Sequence, residues 1–365
     1  MIISLRHKGI LVTAVAVVIL HSPCLAVVLH DGVGASQTPG DAYVGSWGGY
    51  ASCVPVAGSF VVLSAHQGGG FGTAVSIAGQ DYVVAKKIQH SSADLSVALL
   101  YNPTGAPAQL SHWAKVHTSA DGADYYRDMV IGGYGQTTGS TLYTDSGVPY
   151  GYKWAGDTRT LRWGSNYIDR VLFTISGSAY MSKGLQADFD YPGEGGAVVG
   201  EAIGACGDSG GGWFLPDGQG GWTVAGLSVQ VQNGGESLFR DPVTGAPAPD
   251  AMYAVRLSQY ASWIDQVIAE NQPIFGDVNL DLTVDIHDIA AVKNSYGTYY
   301  GTDGYSFLAD LDGDGYVGAA DLSAVKSAFL NAMEGSATAT VVPEPATMSL
   351  LAFGALAAAV RRRRR

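Results

Sequence analysis

The sequence predicts a mainly β protein that ends in a small helical module. From residue 27 to about residue 272, short runs of β-forming residues alternate with clusters of Gly, Asn, Asp and Ser, a pattern typical of an all-β sandwich or barrel. Glycine supplies 50 of the 365 residues and charged residues only 14%, a composition that disfavours a coiled coil or a long-helix protein. Two Asp-rich loops, each followed by a helical pattern, then recur 33 residues apart.

The N-terminus has the three-part layout of a secretory signal peptide. Arg6 and Lys8 precede an apolar run over 9–20, and the helix-breaking Pro23 follows shortly before Ala26. We expect cleavage after Ala26 and export by the general secretory pathway. An N-terminal membrane anchor is the alternative, and it is disfavoured because a span needs about 20 apolar residues.

The body contains strands, one hairpin and one helix. Pro216-Asp217-Gly218 provides turn chemistry at the tip of a hairpin. A helix is predicted over 257–270 from apolar residues at helical spacing, and Pro273 ends it. The clearest strands are predicted at 60–63, 82–85, 97–100, 129–131 and 171–175.

Charge and cysteine content exclude some classes of protein. A formal net charge of −12 disfavours nucleic acid as a partner. Three cysteines are too few for a disulfide scaffold, and signal cleavage would leave only Cys53 and Cys206. A bridge between these two is a hypothesis that the sequence leaves open.

The segment 207–211, Gly-Asp-Ser-Gly-Gly, has the composition of a nucleophile turn. A serine hydroxyl needs a base to remove its proton and N–H donors for the developing oxyanion, and neighbouring glycines let backbone amides turn inward. A Gly-rich turn without catalytic function is the alternative. Two further residues disfavour it: His66 ends one buried apolar run and Asp94 begins another. In the order His66, Asp94, Ser209 these are the components of a catalytic triad.

Residues from about 53 to 271 resemble a trypsin-like serine protease of the chymotrypsin fold. Five separated segments carry the resemblance: 64–66, 90–100, 131–137, 207–211 and the helical 253–265. The resemblance implies two six-stranded β-barrels with the triad between them and an oxyanion hole made by the Gly207 and Ser209 amides. It also implies that Asp208 pairs with a newly formed N-terminal amine, for which Val27 is the nearest candidate.

The resemblance also assigns a substrate pocket. The specificity position, six residues before the nucleophile, is Ile203, so no carboxylate is expected there to hold Arg or Lys. One wall is expected from Ser228-Val229-Gln230, and Gln230 is expected to narrow the opening. We therefore predict a preference for small or medium apolar side chains before the scissile bond.

The two Asp-rich loops have the ligand spacing of calcium sites, with oxygen ligands at places one, three, five, seven and twelve. The loops, each followed by a single helix, resemble the duplicated calcium module of a dockerin, which implies a cohesin-bearing partner on another chain. The first loop has Leu282 where Gly315 makes the sharp bend in the second, so we expect a weaker first site. The predicted ligands are Asp277, Asn279, Asp281, Thr283 and Asp288, and Asp310, Asp312, Asp314, Tyr316 and Asp321.

The C-terminus resembles a PEP-CTERM sorting signal. Val-Pro-Glu-Pro at 342–345 is followed by an apolar stretch over 346–360 and by five arginines. The resemblance implies a sorting enzyme of the exosortase type, transient membrane association through this segment, and an extracellular or cell-surface location on a bacterium. A plain membrane anchor is the alternative.

The leading prediction is a secreted or surface-displayed serine endopeptidase with a calcium-dependent docking module. A catalytically inactive, protease-like surface adhesin or scaffold component is the alternative, and a third interpretation makes docking the essential function. The predicted layout is a signal peptide at 1–26, a protease domain at 27–272, a dockerin-like domain at 273–334, a linker at 335–342 and a sorting signal at 343–365.

Overall fold

The computed structural model describes residues 27–118, 124–156, 160–177, 179–194 and 196–339, so the predicted signal peptide and sorting signal lie outside the described residues. The strands are, in chain order, β1 Val28–Leu29, β2 Gly45–Trp47, β3 Ala51–Ala57, β4 Phe60–Leu63, β5 Ala74–Ile77, β6 Gln80–Gln89, β7 Ser96–Asn102, β8 Gly105–Pro107, β9 Lys115–Val116, β10 Asp128–Gly133, β11 Thr137–Tyr143, β12 Pro149–Ala155, β13 Arg162–Tyr167, β14 Arg170–Ser176, β15 Met181–Asp188, β16 Ala202–Ile203, β17 Gly212–Pro216, β18 Trp222–Val231, β19 Glu236–Leu238 and β20 Ala251–Arg256.

Strands β2 to β7 close into a six-stranded antiparallel barrel, the first barrel. They pair in the order β4-β3-β2-β5-β6-β7, and β4 returns to β7 with Phe60 opposite Leu99. Cys53, Leu63 and Leu100 belong to the apolar cluster that fills the barrel. The alternate residues of the same strands pack outward against other elements. Burial on both faces explains why β4 and β7 are continuous apolar runs.

A second ring, the second barrel, contains the strands β10, β17, β18, β20, β15 and β13. Neighbouring strands form antiparallel ladders except at β13 and β15, between which no ladder forms in the described residues. There the buried Asn166 side chain on β13 donates to Asp188 O on β15 at 2.9 Å and to Ala202 O at 2.7 Å. The remaining pairings are β14 with β15, β9 with β18, β1 with β16, and the sheet β11-β12-β19.

Three α-helices follow the last strand: α1 Ala261–Glu270, α2 Ile286–Asn294 and α3 Ala319–Ala339. The helix predicted over 257–270 is confirmed from residue 261 onward, while Leu257–Gln259 form a 3-10 turn. Helix α1 buries Ile264 and Val267. None of the helices in the described part of the chain is both long and apolar enough to cross a membrane.

Residues 273–334, which contain the two Asp-rich loops and are called the module below, pack against the first barrel beside the β7–β8 hairpin. Phe307 stacks on Phe71 with a ring-centroid distance of 5.3 Å, and its centroid lies 5.9 Å from that of Tyr101. Tyr305 donates its hydroxyl to Pro103 O at 3.3 Å. A Cβ on Gly105, whose φ is +91°, would come within 1.9 Å of Asp310 O, so only glycine fits there. The module and the barrel therefore share a close-packed interface.

The predicted fold class is confirmed: the chain is mainly β, with a closed six-stranded barrel, a second ring of six strands, a helix after the last strand and a small helical module. The strands predicted at 60–63, 82–85, 97–100, 129–131 and 171–175 all lie within observed strands.

Candidate functional site

His66 lies in the cleft between the barrels, in a 3-10 turn formed by Ala65–Gln67 directly after β4. Its Nδ1 atom lies 2.6 Å from Asp94 Oδ2, and its Nε2 atom lies 2.9 Å from Ser209 Oγ. When Nδ1 carries the proton and donates it to the carboxylate, Nε2 has a free lone pair that accepts the serine hydroxyl. The structure thus brings together the three residues predicted as a triad.

Asp94 is fixed by donors on both sides. The backbone N–H of His66 donates to its Oδ1 at 2.9 Å, in addition to the imidazole contact at Oδ2. Its own N–H donates to Ser182 Oγ at 2.9 Å, which ties the start of β7 to β15 of the second barrel. The side chain of Asp94 is 13% exposed and that of His66 is 37% exposed. The imidazole can therefore meet a substrate while its carboxylate partner is shielded.

Ser209 lies on the loop between β16 and β17, whose glycines are required by its path. Gly207 and Gly210 have φ values of +94° and +75°, a region that side chains rarely adopt. A Cβ on Gly210 would lie 2.2 Å from Ser52 O, and one on Gly211 would lie 2.4 Å from Gly132 O. Among the described residues, no acceptor receives the N–H of Gly207 or of Ser209. Both amides are therefore available at the position predicted for an oxyanion hole.

The Asp208 carboxylate is buried next to Ser209. Its carboxylate accepts the amides of Gly135 and Ala205, each at 2.8 Å, and a further backbone bond from Val27. Burial raises the pKa of Asp208 to about 7, although these amides oppose the shift. A Cβ on Gly133 would lie 2.1 Å from its Oδ1 and one on Gly135 would lie 2.6 Å from its Cγ, which explains these two glycines of the 131–137 segment.

The turn that carries His66 is held by residues that the sequence did not single out. Lys87 Nζ donates to Gly68 O at 2.8 Å, and Tyr50 donates its hydroxyl to Gln67 O at 2.8 Å. Trp47 Nε1 also donates to Gly68 O, at 3.3 Å. Burial lowers the pKa of Lys87, and the nearby Asp94 opposes that shift. These donors are 17 to 21 positions along the chain from the residues whose carbonyls accept their hydrogen bonds, and no local motif marks them.

A cavity of about 350 Å³ opens beside Ser209. Of the three predicted pocket residues, Ser228 and Gln230 line it, whereas Ile203 does not. Ile203 pairs with Val28 and is buried in the apolar core of the second barrel. The lining is Trp154, Gly204, Ala205, Cys206, Asp208, Ser209, Ser228, Val229, Gln230, Val231, Gln232, Asn233, Gly234 and Met252.

A second cavity of about 300 Å³ opens beside His66. It is bounded by His66, Asp94, Ile175, Tyr180 and Ser182, among others. Val229 and Gln230 line both cavities. They lie at an irregularity in the pairing of β18 with β20, between Ser228 and Gln230. Gln230 is exposed and so can contact a ligand in either cavity.

The two cysteines within the described residues are free thiols, so the hypothesis of a bridge between Cys53 and Cys206 is wrong. Cys53 is buried in the first barrel, and burial raises the pKa of its thiol to about 12. Cys206 is exposed at the cavity beside Ser209. Their side chains lie in different environments, since one faces a barrel interior and the other the cleft.

The second Asp-rich loop has the donors of a cation site. Asp310, Asp312 and Asp314 each offer one carboxylate oxygen, and these oxygens lie within 4.8 Å of one another. The twelfth residue, Asp321, accepts the amides of Leu311 at 2.7 Å and Gly318 at 2.7 Å. Hard oxygen donors at this spacing fit Ca²⁺, with the Tyr316 carbonyl as the remaining predicted ligand.

The first loop repeats these hydrogen bonds. Asp288, its twelfth residue, accepts the amides of Val278 at 2.8 Å and Asp285 at 2.8 Å. Leu280 and Leu282 have φ values of +59° and +73°, whereas Gly313 and Gly315 occupy the equivalent places of the second loop. The first loop therefore carries backbone strain that the second does not. The other predicted ligands are Asp277, Asn279, Asp281 and Thr283.

Two family profiles match the C-terminal part of the chain. The family profile of the dockerin type I domain matches residues 275–330, and that of the PEP-CTERM protein-sorting motif matches residues 341–365. No curated protein matches the chain.

Among solved structures, the chain is similar to neuropsin, a serine protease expressed in the limbic system of mouse brain. The two are 17% identical, with a TM-score of 0.42, and the match covers 64% of this chain and 98% of that one. The two profile matches confirm the resemblances stated from the sequence for the C-terminal segments: the chain carries a dockerin type I domain and a PEP-CTERM protein-sorting motif.

Proposed function

We propose that residues 27–272 form an exported serine endopeptidase that hydrolyses peptide bonds with Ser209, His66 and Asp94. The observation that carries the proposal is the continuous series of contacts from Asp94 Oδ2 to His66 Nδ1 and from His66 Nε2 to Ser209 Oγ, at 2.6 and 2.9 Å. An inactive adhesin or scaffold would not require this alignment. Free amides at Gly207 and Ser209 give further support.

The reaction follows from these contacts. Ser209 Oγ bonds to the carbonyl carbon of the substrate while His66 Nε2 takes the hydroxyl proton. Asp94 stabilises the imidazolium, and the Gly207 and Ser209 amides donate to the oxyanion. The imidazolium then protonates the departing amine as the C–N bond breaks. Water repeats the sequence on the acyl-enzyme and releases the carboxylic acid.

The cavity beside Ser209 supports a preference for small or medium apolar side chains before the scissile bond. Its one acidic lining residue, Asp208, is buried and accepts the amides of Gly135 and Ala205. Met252 also lines the cavity, and its sulfur accepts the N–H of Gly204 at 3.3 Å. No carboxylate in the lining is therefore free to bind an arginine or lysine side chain.

The C-terminal segments support a cellular location and a binding partner for the protein. A dockerin type I domain supports docking to a cohesin-bearing protein, and the donors of the second loop fit the calcium ion that would hold that loop in shape. The PEP-CTERM motif supports processing by an exosortase-type enzyme after transient membrane association, which leads to an extracellular or cell-surface location on a bacterium. We propose two calcium ions, with the first loop the weaker site.

The test of the enzymatic proposal is hydrolysis of matched peptides with Ala, Leu or Arg before the scissile bond. We expect the Ala and Leu peptides to be cleaved, the Arg peptide to be cleaved more slowly, and no cleavage by Ser209→Ala. Cleavage of all three peptides by Ser209→Ala would refute the assignment of the nucleophile. Fastest cleavage of the Arg peptide would refute only the assignment of specificity.

A further inference from the structure

The base and the nucleophile reside on different barrels, so their alignment depends on contacts between two loops. The His66 turn follows β4 of the first barrel, whereas Ser209 precedes β17 of the second. In the described part of the chain no disulfide joins the loops, because Cys53 and Cys206 are both free. Something other than a covalent link must therefore fix the 2.9 Å contact between Nε2 and Oγ.

Gln67, the residue after His66, has its side-chain amide bound at both ends. Its Oε1 accepts the N–H of Ser64 at 2.7 Å, and its Nε2 donates to Ser52 O at 2.8 Å. The residue is only 7% exposed. A buried amide with both polar ends satisfied adopts one orientation, because loss of either bond leaves an unpaired polar group.

Ser52, on β3, carries the connection to the nucleophile loop. Its N–H donates to Ser209 O at 2.9 Å, and its hydroxyl donates to Gly207 O at 3.5 Å. The hydroxyl also accepts the N–H of Tyr134 at 3.0 Å. Ser52 therefore contacts the main chain of the nucleophile and of one oxyanion donor.

The nucleophile loop also lies directly against the glutamine. A Cβ on Gly210 would lie 2.5 Å from Gln67 Oε1, so the loop backbone approaches the amide more closely than any side chain would allow. The neighbouring Cys53 cannot serve the same purpose, since successive residues of a strand face opposite sides and its thiol lies inside the first barrel.

We propose that Gln67 is a positioning residue that sets the distance between His66 and Ser209 through Ser52. The proposal rests on the endopeptidase function proposed above, for which this distance matters. Displacement of a reacting group by about 1 Å can cost on the order of 100-fold in rate. The Gln67 amide touches neither substrate nor the reacting atoms, and it acts only through the geometry of the two loops.

The test uses Gln67→Met in the full chain, which keeps the length of the side chain and removes both hydrogen bonds. The matched control is Asn166→Leu, which removes a buried amide with two bonds to Asp188 O and Ala202 O in the second barrel. We expect kcat of Gln67→Met to fall by about 10 to 100-fold with KM nearly unchanged. We expect amide hydrogen exchange to accelerate in both 64–68 and 205–211. Asn166→Leu should lower the melting temperature without either effect.

The proposal is overturned when the amide hydrogens of 205–211 exchange in Gln67→Met at the wild-type rate. It is also overturned when Asn166→Leu lowers kcat, and accelerates amide exchange over 205–211, as much as Gln67→Met does. Failure of the endopeptidase function is a separate result, recognised by wild-type protein that neither cleaves peptides nor reacts with an organofluorophosphonate. In that case the exchange data still decide whether Gln67 links the two loops.

Discussion

The cleft between the barrels and the second Asp-rich loop place their carboxylates in opposite surroundings. In the cleft, Asp94 receives the backbone and imidazole donors of His66, and Asp208 receives two amides at 2.8 Å. In the loop, oxygens of three carboxylates lie within 4.8 Å of one another. The three loop carboxylates also accept backbone amides, from Gly313, Asp314 and Tyr316. The protein's own donors thus suffice for the carboxylates of the cleft, whereas the three close carboxylates of the loop still need a cation to offset their mutual repulsion. Chemistry and docking should therefore respond differently to the same perturbations.

The largest effect is expected from Asp94→Asn, which keeps the shape of the side chain and removes its negative charge. The amide would favour the wrong imidazole tautomer, so we expect kcat to fall by about 10⁴-fold. The measurement is steady-state hydrolysis of the Ala peptide, with calcium affinity of the same variant as the control. A variant with wild-type kcat would show that Asp94 is not part of the reaction.

The next effect concerns Asp208 and the charge of the N-terminus. With a peptide bond before Val27, the folded-state pKa of about 7 exceeds the ordinary 3.8, so the folded protein holds the proton more tightly. The free energy of unfolding should then fall as pH rises from about 4 to about 7, by roughly 4 kcal/mol. A free Val27 ammonium would stabilise the carboxylate and remove most of this slope.

Two forms of the protein test this expectation, one beginning at Val27 and one with Gly-Ser before it. Urea unfolding at pH 5 and pH 7.5 gives the slope for each form. Buried carboxylates such as Glu201, whose pKa burial raises to about 9, occur in both forms and cancel in the comparison. Equal slopes would contradict a role for the new amine.

Removal of calcium should affect the module rather than the cleft. At a calcium concentration about 100 times Kd, each bound ion would stabilise the folded module by about 3 kcal/mol, and a chelator would remove that contribution. We expect loss of the far-ultraviolet circular dichroism of α2 and α3, restored by added calcium. Because Phe307 stacks on Phe71, the chelator should also expose apolar surface on the first barrel. A spectrum insensitive to chelator would refute the calcium assignment.

The smallest effect compares the two loops with each other. Leu282→Gly should relieve about 1 kcal/mol of left-handed strain and tighten the first site, whereas Gly315→Leu should weaken the second by a similar amount. Calorimetric titration of calcium into each variant gives both affinities. Tighter binding in Leu282→Gly and weaker binding in Gly315→Leu would support the proposal that backbone strain weakens the first site. An unchanged calcium affinity of the first site in Leu282→Gly would mean that the strain does not limit that affinity.

Local chemistry made much of the molecule predictable from the sequence. The glycine-rich turn at 207–211, the apolar runs of β4 and β7 and the spacing of the Asp residues in the two loops each depend on residues close together in the chain. Features set by distant contacts were not predictable. The lining of the cavity depends on the pairing of β16 with β1, which buries Ile203 and leaves Met252 at the cavity instead.

Long-range packing explains the other differences. The link through Gln67 and Ser52 joins residues 15 positions apart and then reaches a loop more than 150 positions away. The contact of the module with Gly105 depends on how two separately patterned segments pack, and no spacing within either one encodes it. The free state of Cys53 follows from its inward direction in a closed barrel.

The most direct test of the account is covalent labelling of the full chain by an organofluorophosphonate, followed by mass spectrometry of the proteolytic peptides. We predict one phosphonyl adduct, on Ser209, which is absent in Ser209→Ala and strongly reduced in Asp94→Asn. Folded wild-type protein with no adduct on Ser209, or with the same adduct yield in Ser209→Ala, would contradict the proposal that this cleft is a serine protease active site.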